Sequence, residues 1–341
     1  MMNLRRLARR ALAPTLAAAT LAALAPSAAA EDGPIRQWLK ERKEQRQQRD
    51  APGIGTSITR PGDHEFTIEH GGLTRMVRVH VPATYQPTTP APLLVALHGG
   101  GGSMDYQADD ARYGLISLSE RHGIVVVFPN GFSKRSSGKF ATWNAGLCCG
   151  GARDNEVDDV GFIRKTVERV TRQMNIDRQR IFATGMSNGA MMSYRLACEM
   201  PEVFKAIAAV AGTDNTRSCS PKQPVAVLHI HARNDSHVLF DGGAGPDASN
   251  PATVTDFASV PDTVAKWARL NGCAAEPRRV LDKPGAYCEA YSPCKARAEV
   301  RLCVTETGGH SWPGGTKTRG SEPPSQAVSA NELMWEFFDR R

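Results

Sequence analysis

No two of the eight cysteines stand in Cys-x-x-Cys spacing, so neither a zinc site nor a thioredoxin-like redox pair is encoded. The glycine run Gly99–Gly102 is not followed by Gly-Lys-Ser/Thr, which removes the phosphate-binding reading of that loop. Aromatic residues make up only 6% of the chain and no basic stripe is interleaved with them, so there is no case for a nucleic-acid partner. No internal repeat is visible, and no metal or cofactor is expected. Acids are missing from the first thirty residues, whose only charges are Arg5, Arg6, Arg9 and Arg10. Without those four the balance is 38 bases against 35 acids, or +3 in place of +7.

That acid-free start reads as a secretory signal. The arginines are followed by an Ala/Leu run from Ala11 to Leu24 and then by Ala28-Ala29-Ala30, small residues that suit cleavage after Ala30. The run is short and interrupted by Pro14, which disfavours a membrane anchor. Arg5-Arg6 lacks the rest of a twin-arginine motif. The expectation is a signal peptide over 1–30 and a secreted product, extracellular or periplasmic, with no membrane association after cleavage. In such a compartment eight cysteines imply up to four disulfides, but 105 pairings are open. Residues 31–62, centred on the charged stretch Lys40–Arg49, read as a solvated linker, helical or disordered. Residues 63–341 then form a single folded domain.

Within that domain the strands come in two kinds. Phe66–Ile68 and Met76–Val81 alternate apolar with polar around Gly71-Gly72 and predict an antiparallel hairpin. Pro92–His98, Ile124–Phe128, Arg180–Thr184, Phe204–Val210 and Pro224–His231 are apolar runs, most of them on both sides, as buried parallel strands must be. Helices are expected from the glycine run to about Arg121, and over Asp158–Met174, Ala190–Cys198, Pro261–Leu270 and Ala327–Phe338. Two weaker strands are expected around Arg279–Leu281 and Glu299–Val304. Alternating strands and helices argue a doubly wound, mostly parallel α/β sheet with helices on both faces.

Gly185-Met186-Ser187-Asn188-Gly189 lies between one of those strands and a helix. Strand, G-x-S-x-G, helix is a nucleophile elbow: a turn so tight that only glycine-sized neighbours fit, presenting the serine above the sheet edge. A serine hydroxyl is a poor nucleophile without an adjacent base. His310, on a glycine-flanked loop late in the chain, is the candidate base, and Asp235, beyond the strand ending at His231, the candidate acid that fixes its tautomer. Asp241, Asp256 and the more remote Asp214 are rival acids. The developing oxyanion requires fixed N–H donors: Asn188 supplies one, and Gly100, with Gly101 as second choice, the other. His64, His70, His80 and His122 read as surface or strand residues. His229-x-His231 has the look of a metal pair, but Ala232-Arg233 stands where a binuclear zinc hydrolase would want its next acid.

Five ordered motifs together resemble the secreted poly(3-hydroxybutyrate) depolymerase family and its feruloyl esterase relatives. They are Leu97–Ser103, Trp143–Gly146 with Cys148-Cys149-Gly150, Val157–Phe162, Gly185–Gly189, and Gly308–Gly314, and the likeness runs from about Phe66 to Phe338. The resemblance implies an α/β-hydrolase acting on a small or oligomeric carboxylic ester without a cofactor, through Ser187, Asp235 and His310. It implies that Trp143 and Trp312 flank the cleft, and that Cys198–Cys219 and Cys273–Cys294 are disulfides. Cys288 and Cys303 then pair with each other or with the Cys148-Cys149 loop. One departure is that His231-Ala232-Arg233-Asn234-Asp235 stands where the family has His-Gly-x-x-Asp, which brings a charge to the entrance beside the acid. The implied substrates are short hydroxyalkanoate esters or oligomers, with feruloyl or acetylxylan esters as the alternative. No separate C-terminal binding domain is expected, which favours oligomers or soluble esters over crystalline polymer. A polymer-binding module that has lost catalysis is the reading from another class, and a peptidase of the same fold a further one.

Overall fold

The computed structural model describes residues 57–250, 255–316 and 322–341, all in one compact unit. The expected signal peptide and most of the expected linker lie outside the described residues. The unit is built on a ten-stranded sheet in the order β1-β2-β4-β3-β5-β6-β7-β10-β9-β8. Six central strands are parallel: β4 (Val125–Pro129), β3 (Ala91–Leu97), β5 (Ile176–Met186), β6 (Ala206–Val210), β7 (Ala226–Ala232) and β10 (Val300–Thr305). An antiparallel hairpin closes each edge: β1 (Gly62–His70) with β2 (Leu73–Val81), and β8 (Arg278–Lys283) with β9 (Ala286–Tyr291).

Side-chain alternation divides the central strands between two cores. Leu93, Val95 and Leu97 of β3 face one apolar cluster, while Leu94 and Ala96 face the other. The first cluster is covered by α2 (Asp159–Gln173), α3 (Asn188–Glu199) and α4 (Val260–Leu270), through Phe162, Tyr194 and Trp267 among others. The second is covered by α1 (Leu115–His122) and α5 (Ala330–Asp339), where Phe338 stacks on Phe182 at 4.4 Å. Each large side chain so buried contributes about 1.5–3 kcal/mol of transfer free energy.

Local chemistry sets the helix ends. Asp158 caps α2 by accepting from the Gly161 amide, and Ser259 caps α4 by accepting from Asp262. The segment expected as one helix up to Arg121 is instead broken. Gly114 takes a left-handed φ of 63°, ending one turn before α1 begins. The four disulfides are Cys148–Cys149, Cys198–Cys219, Cys273–Cys294 and Cys288–Cys303. Cys288 and Cys303 are register partners on β9 and β10, so they pair with each other.

Candidate active site

Ser187 sits between β5 and α3 with φ 56° and ψ −122°, a conformation that costs a non-glycine residue about 1–3 kcal/mol. The surroundings hold it there. Its amide donates to the Val210 carbonyl at 2.8 Å. A Cβ at Gly185 would meet the Gly189 carbonyl carbon at 2.4 Å, one at Gly189 would meet the Leu97 oxygen at 2.2 Å, and one at Gly212 would meet the Ser187 oxygen at 2.3 Å. Both glycines of G-x-S-x-G, and a third from the loop after β6, are therefore steric requirements of the elbow.

The loop after β3 runs against the serine. A Cβ on Gly99 would lie 3.6 Å from Ser187 Cβ, and one on Gly100 would lie 3.6 Å from Asn188 Cβ. The Gly101 amide is committed to the Ala141 carbonyl at 2.8 Å, which removes Gly101 as the second oxyanion donor. His98 anchors this loop from below. Its Nδ1–H donates to the Gly99 carbonyl at 2.8 Å, and its Nε2 accepts from the Gly131 amide at 2.9 Å. Burial lowers the His98 pKa to about 4, against the opposing hydrogen bond to Gly99, so the ring is neutral at neutral pH.

Asn188 contributes more than its backbone. Its side chain accepts from the Trp143 amide at 2.7 Å and donates to the Trp143 carbonyl at 3.0 Å, pinning the long loop after β4 to α3. Arg195 donates to the Asn144 carbonyl at 2.6 Å, and the Asn144 amide donates to buried Asp159, itself paired with Arg75 at 2.7 Å. Trp143 belongs to this anchoring layer. It is fully buried and donates through Nε1 to the His98 carbonyl. Trp312 is 3% exposed and donates to Asn331. Both tryptophans are core residues, which corrects the expectation that they flank the cleft.

Asp235 and His310 come from the loops after β7 and β10. His310 Nδ1–H donates to Asp235 Oδ2 at 2.9 Å, and 20% of the imidazole side chain is exposed while the carboxylate has none. Asp235 Oδ1 accepts from the amides of His237 and Val238 at 2.8 and 2.9 Å. Burial by itself would raise the Asp235 pKa, but the His310 charge and hydrogen bonds from His231 and His310 outweigh it and hold the carboxyl well below its usual range. Asn234 accepts from the Gly309 amide at 3.0 Å, tying the acid's loop to the histidine's loop. His237 stacks on the His310 ring at 4.6 Å.

The rival acids are placed elsewhere. Asp214 is engaged by Trp267 Nε1 and Lys266 at 2.9 and 2.8 Å, and Asp241 and Asp256 are exposed. The Arg233 guanidinium lies 4.0 Å over the Phe240 ring and donates to the Tyr287 hydroxyl. His98, Asn234 and His231 contribute in ways that the sequence did not reveal: His98 and Asn234 stand inside family motifs without a role of their own, and His231 reads there as half of a metal pair.

Serine, acid and histidine follow β5, β7 and β10 in that chain order, each at the carboxyl end of a parallel strand. That arrangement defines an α/β-hydrolase of the serine-hydrolase type. Comparison with known proteins narrows the class. The family model described as Esterase PHB depolymerase matches residues 82–259. The chain is 30% identical over 293 residues to "Probable feruloyl esterase C" of Aspergillus niger, covering 84% of this chain and 90% of that protein. It is also 30% identical over 244 residues to feruloyl esterase B of Piromyces equi, spanning 70% of this chain but only 42% of that protein. An acetyl xylan esterase from Aspergillus awamori shares the fold, with a TM-score of 0.54 and 15% identity over 82% of this chain and 100% of that one. The chain belongs to the PHB depolymerase esterase family, and it is a carboxylic-ester hydrolase.

Proposed function

We propose that Ser187, His310 and Asp235 hydrolyse a carboxylic ester through an acyl-enzyme. The observation that carries this reading is the 2.9 Å hydrogen bond between His310 Nδ1 and Asp235 Oδ2. It occupies one ring nitrogen and leaves Nε2 as the nitrogen that can accept the Ser187 proton. Ser187 Oγ attacks the acyl carbonyl carbon as its proton passes to His310. The amide of Asn188, at the N-terminus of α3, and the backbone of Gly100 meet the oxyanion. Collapse breaks the bond to the leaving alcohol, which takes the proton from His310. Water, activated by the same imidazole, then releases the carboxylic acid and restores Ser187. The link between His310 Nε2 and Ser187 Oγ belongs to this proposal.

The substrates we assign are short hydroxyalkanoate esters or oligomers, supported by the family match. A second reading, feruloyl or acetyl groups on plant polysaccharide, is favoured by the names of the relatives. Export before folding is supported by the basic-then-apolar start and by four disulfides. Ser187→Ala is expected to abolish p-nitrophenyl butyrate hydrolysis and fluorophosphonate labelling with an unchanged circular dichroism spectrum; retained turnover would overturn the assignment. Comparing release of 3-hydroxybutyrate from its oligomers with release of ferulate from methyl ferulate decides between the two acyl classes.

A further inference from the structure

Strand β7 is buried along its whole length, yet it carries two histidines, His229 and His231, on one face. Their rings stack at 5.3 Å and 6°. Two imidazoles in an apolar strand are costly unless their nitrogens are satisfied, and here all four are bonded. Tyr194 Oη lies 2.7 Å from His229 Nδ1, His229 Nε2 lies 3.2 Å from His231 Nδ1, and His231 Nε2 lies 2.9 Å from the Val238 carbonyl oxygen. The same His231 Nε2 is 3.2 Å from Asp235 Oδ2.

These partners fix the direction of every hydrogen. The Val238 carbonyl can only accept, so His231 carries its proton on Nε2. Its Nδ1 is then a lone pair and accepts from His229 Nε2–H. His229 Nδ1 in turn accepts the Tyr194 hydroxyl proton. Burial, and next the charge His231 would carry, push the His229 pKa well below the usual range, in keeping with a neutral ring. The chain therefore runs one way, donor to acceptor, from Tyr194 on α3 to Asp235, and no proton has to move along it. The rings of Trp267 and Phe240 lie 5.8 Å from Tyr194 and 6.1 Å from His231, and the Asp214 carboxylate bound to Trp267 Nε1 faces the Tyr194 end.

We propose that His231 is a positioning residue for Asp235, held in its donating tautomer by His229 and Tyr194. With it the carboxylate has three donors of its own, two backbone amides on Oδ1 and His310 on Oδ2, and a share of the His231 Nε2–H, which lies 3.2 Å from Oδ2 and 2.9 Å from the Val238 carbonyl oxygen. A carboxylate so filled cannot swing about its terminal torsion, and the His310 ring that it orients keeps one attitude. This inference rests on the assignment of Ser187, Asp235 and His310 above. It also accounts for His229-x-His231 without a metal, since each ring nitrogen already has a protein partner.

The test uses His231→Leu, which deletes the donor, His231→Gln, which returns an N–H near the position of Nε2, and Tyr194→Phe, which touches only the far end. His231→Leu is expected to lower kcat about 10- to 100-fold with KM unchanged. It should also shift or broaden the downfield NMR resonance of the proton shared by His310 and Asp235, assigned by its loss in His310→Gln. His231→Gln should recover part of both signals, and Tyr194→Phe should move both in the same direction by a smaller amount. If His231→Leu does not fold, Tyr194→Phe and His231→Gln carry the test. Wild-type kcat together with an unmoved downfield resonance in the folded variants would overturn the proposal. The resonance is read equally well in Ser187→Ala, so failure of the catalytic assignment and failure of the positioning role give different results.

Discussion

Adding a proton to His98 is costly for two reasons. The Gly131 amide donates to Nε2, and a protonated ring has no lone pair there to receive it. The ring is fully buried, so its charge would also go unsolvated, and the folded-state pKa is lowered to about 4 from 6.5. The unfolded chain therefore takes up this proton first as pH falls, and stability declines from about pH 6.5 down to about pH 4. A gap of that size is worth about 3 kcal/mol, at a slope of up to about 1.4 kcal/mol per pH unit. Urea unfolding of the disulfide-intact protein, followed by tryptophan fluorescence at pH 7.5, 6.5, 5.5, 4.5 and 3.5, measures the loss. Running His98→Gln alongside isolates it, because His229 and the carboxylates titrate in both proteins. The stability advantage of wild type over His98→Gln should shrink by about 3 kcal/mol across that range. A difference that stays constant with pH would refute the reasoning, and would mean that His98 is either solvated or free to turn its Nε2 elsewhere.

Two further outcomes follow from contacts already described. Gly189→Ala would place a Cβ 2.2 Å from the Leu97 oxygen, and because that neighbour is backbone the elbow itself must move. Turnover on p-nitrophenyl butyrate is expected to fall about 100-fold or more, and near-wild-type kcat would show that the elbow yields cheaply. Replacing both Cys288 and Cys303 by alanine opens a loop of separation 15 between β9 and β10. This is expected to cost about 3 kcal/mol, read as a lower urea midpoint with kcat unchanged.

What could be read from the sequence was mostly local. Leu93–Leu97 and Val125–Phe128 declare themselves as central strands because both faces are apolar, and the two core clusters show why: alternate residues of β3 serve opposite sides of the sheet. The elbow was legible for the same reason, since its glycines clash with atoms supplied by the motif and by the strand beside it. Strand β9 was not legible. Ala286–Tyr291 buries alternate residues only, and its Tyr, Cys and Glu side chains are decided by pairing with β10, which no short window contains. The break at Gly114 was missed because a single glycine in a helical pattern is tolerated unless tertiary contacts use it. Here Asn331 of α5 donates to the Tyr113 carbonyl next to it.

The active site divides along the same line. The residues proposed as nucleophile, acid and base, Ser187, Asp235 and His310, were legible because each sits in a turn after a strand, and turns have local signatures. The residues that hold those three in place are of another kind. Asn188 reaches Trp143, Asn234 reaches Gly309, and Tyr194 reaches Asp235 through two histidines. Each of these links joins segments far apart in the chain or on different elements, so its geometry exists only once strand register is set. Trp143 shows the consequence of ignoring this. An aromatic beside a catalytic loop suggests a substrate wall, yet α3 and the glycine loop need a rigid filler between them, and the indole meets that need with its N–H on the His98 carbonyl. The acid end of the site is accordingly tightly held, with two amides and the His310 ring donating to one carboxylate and the His231 Nε2–H shared with it.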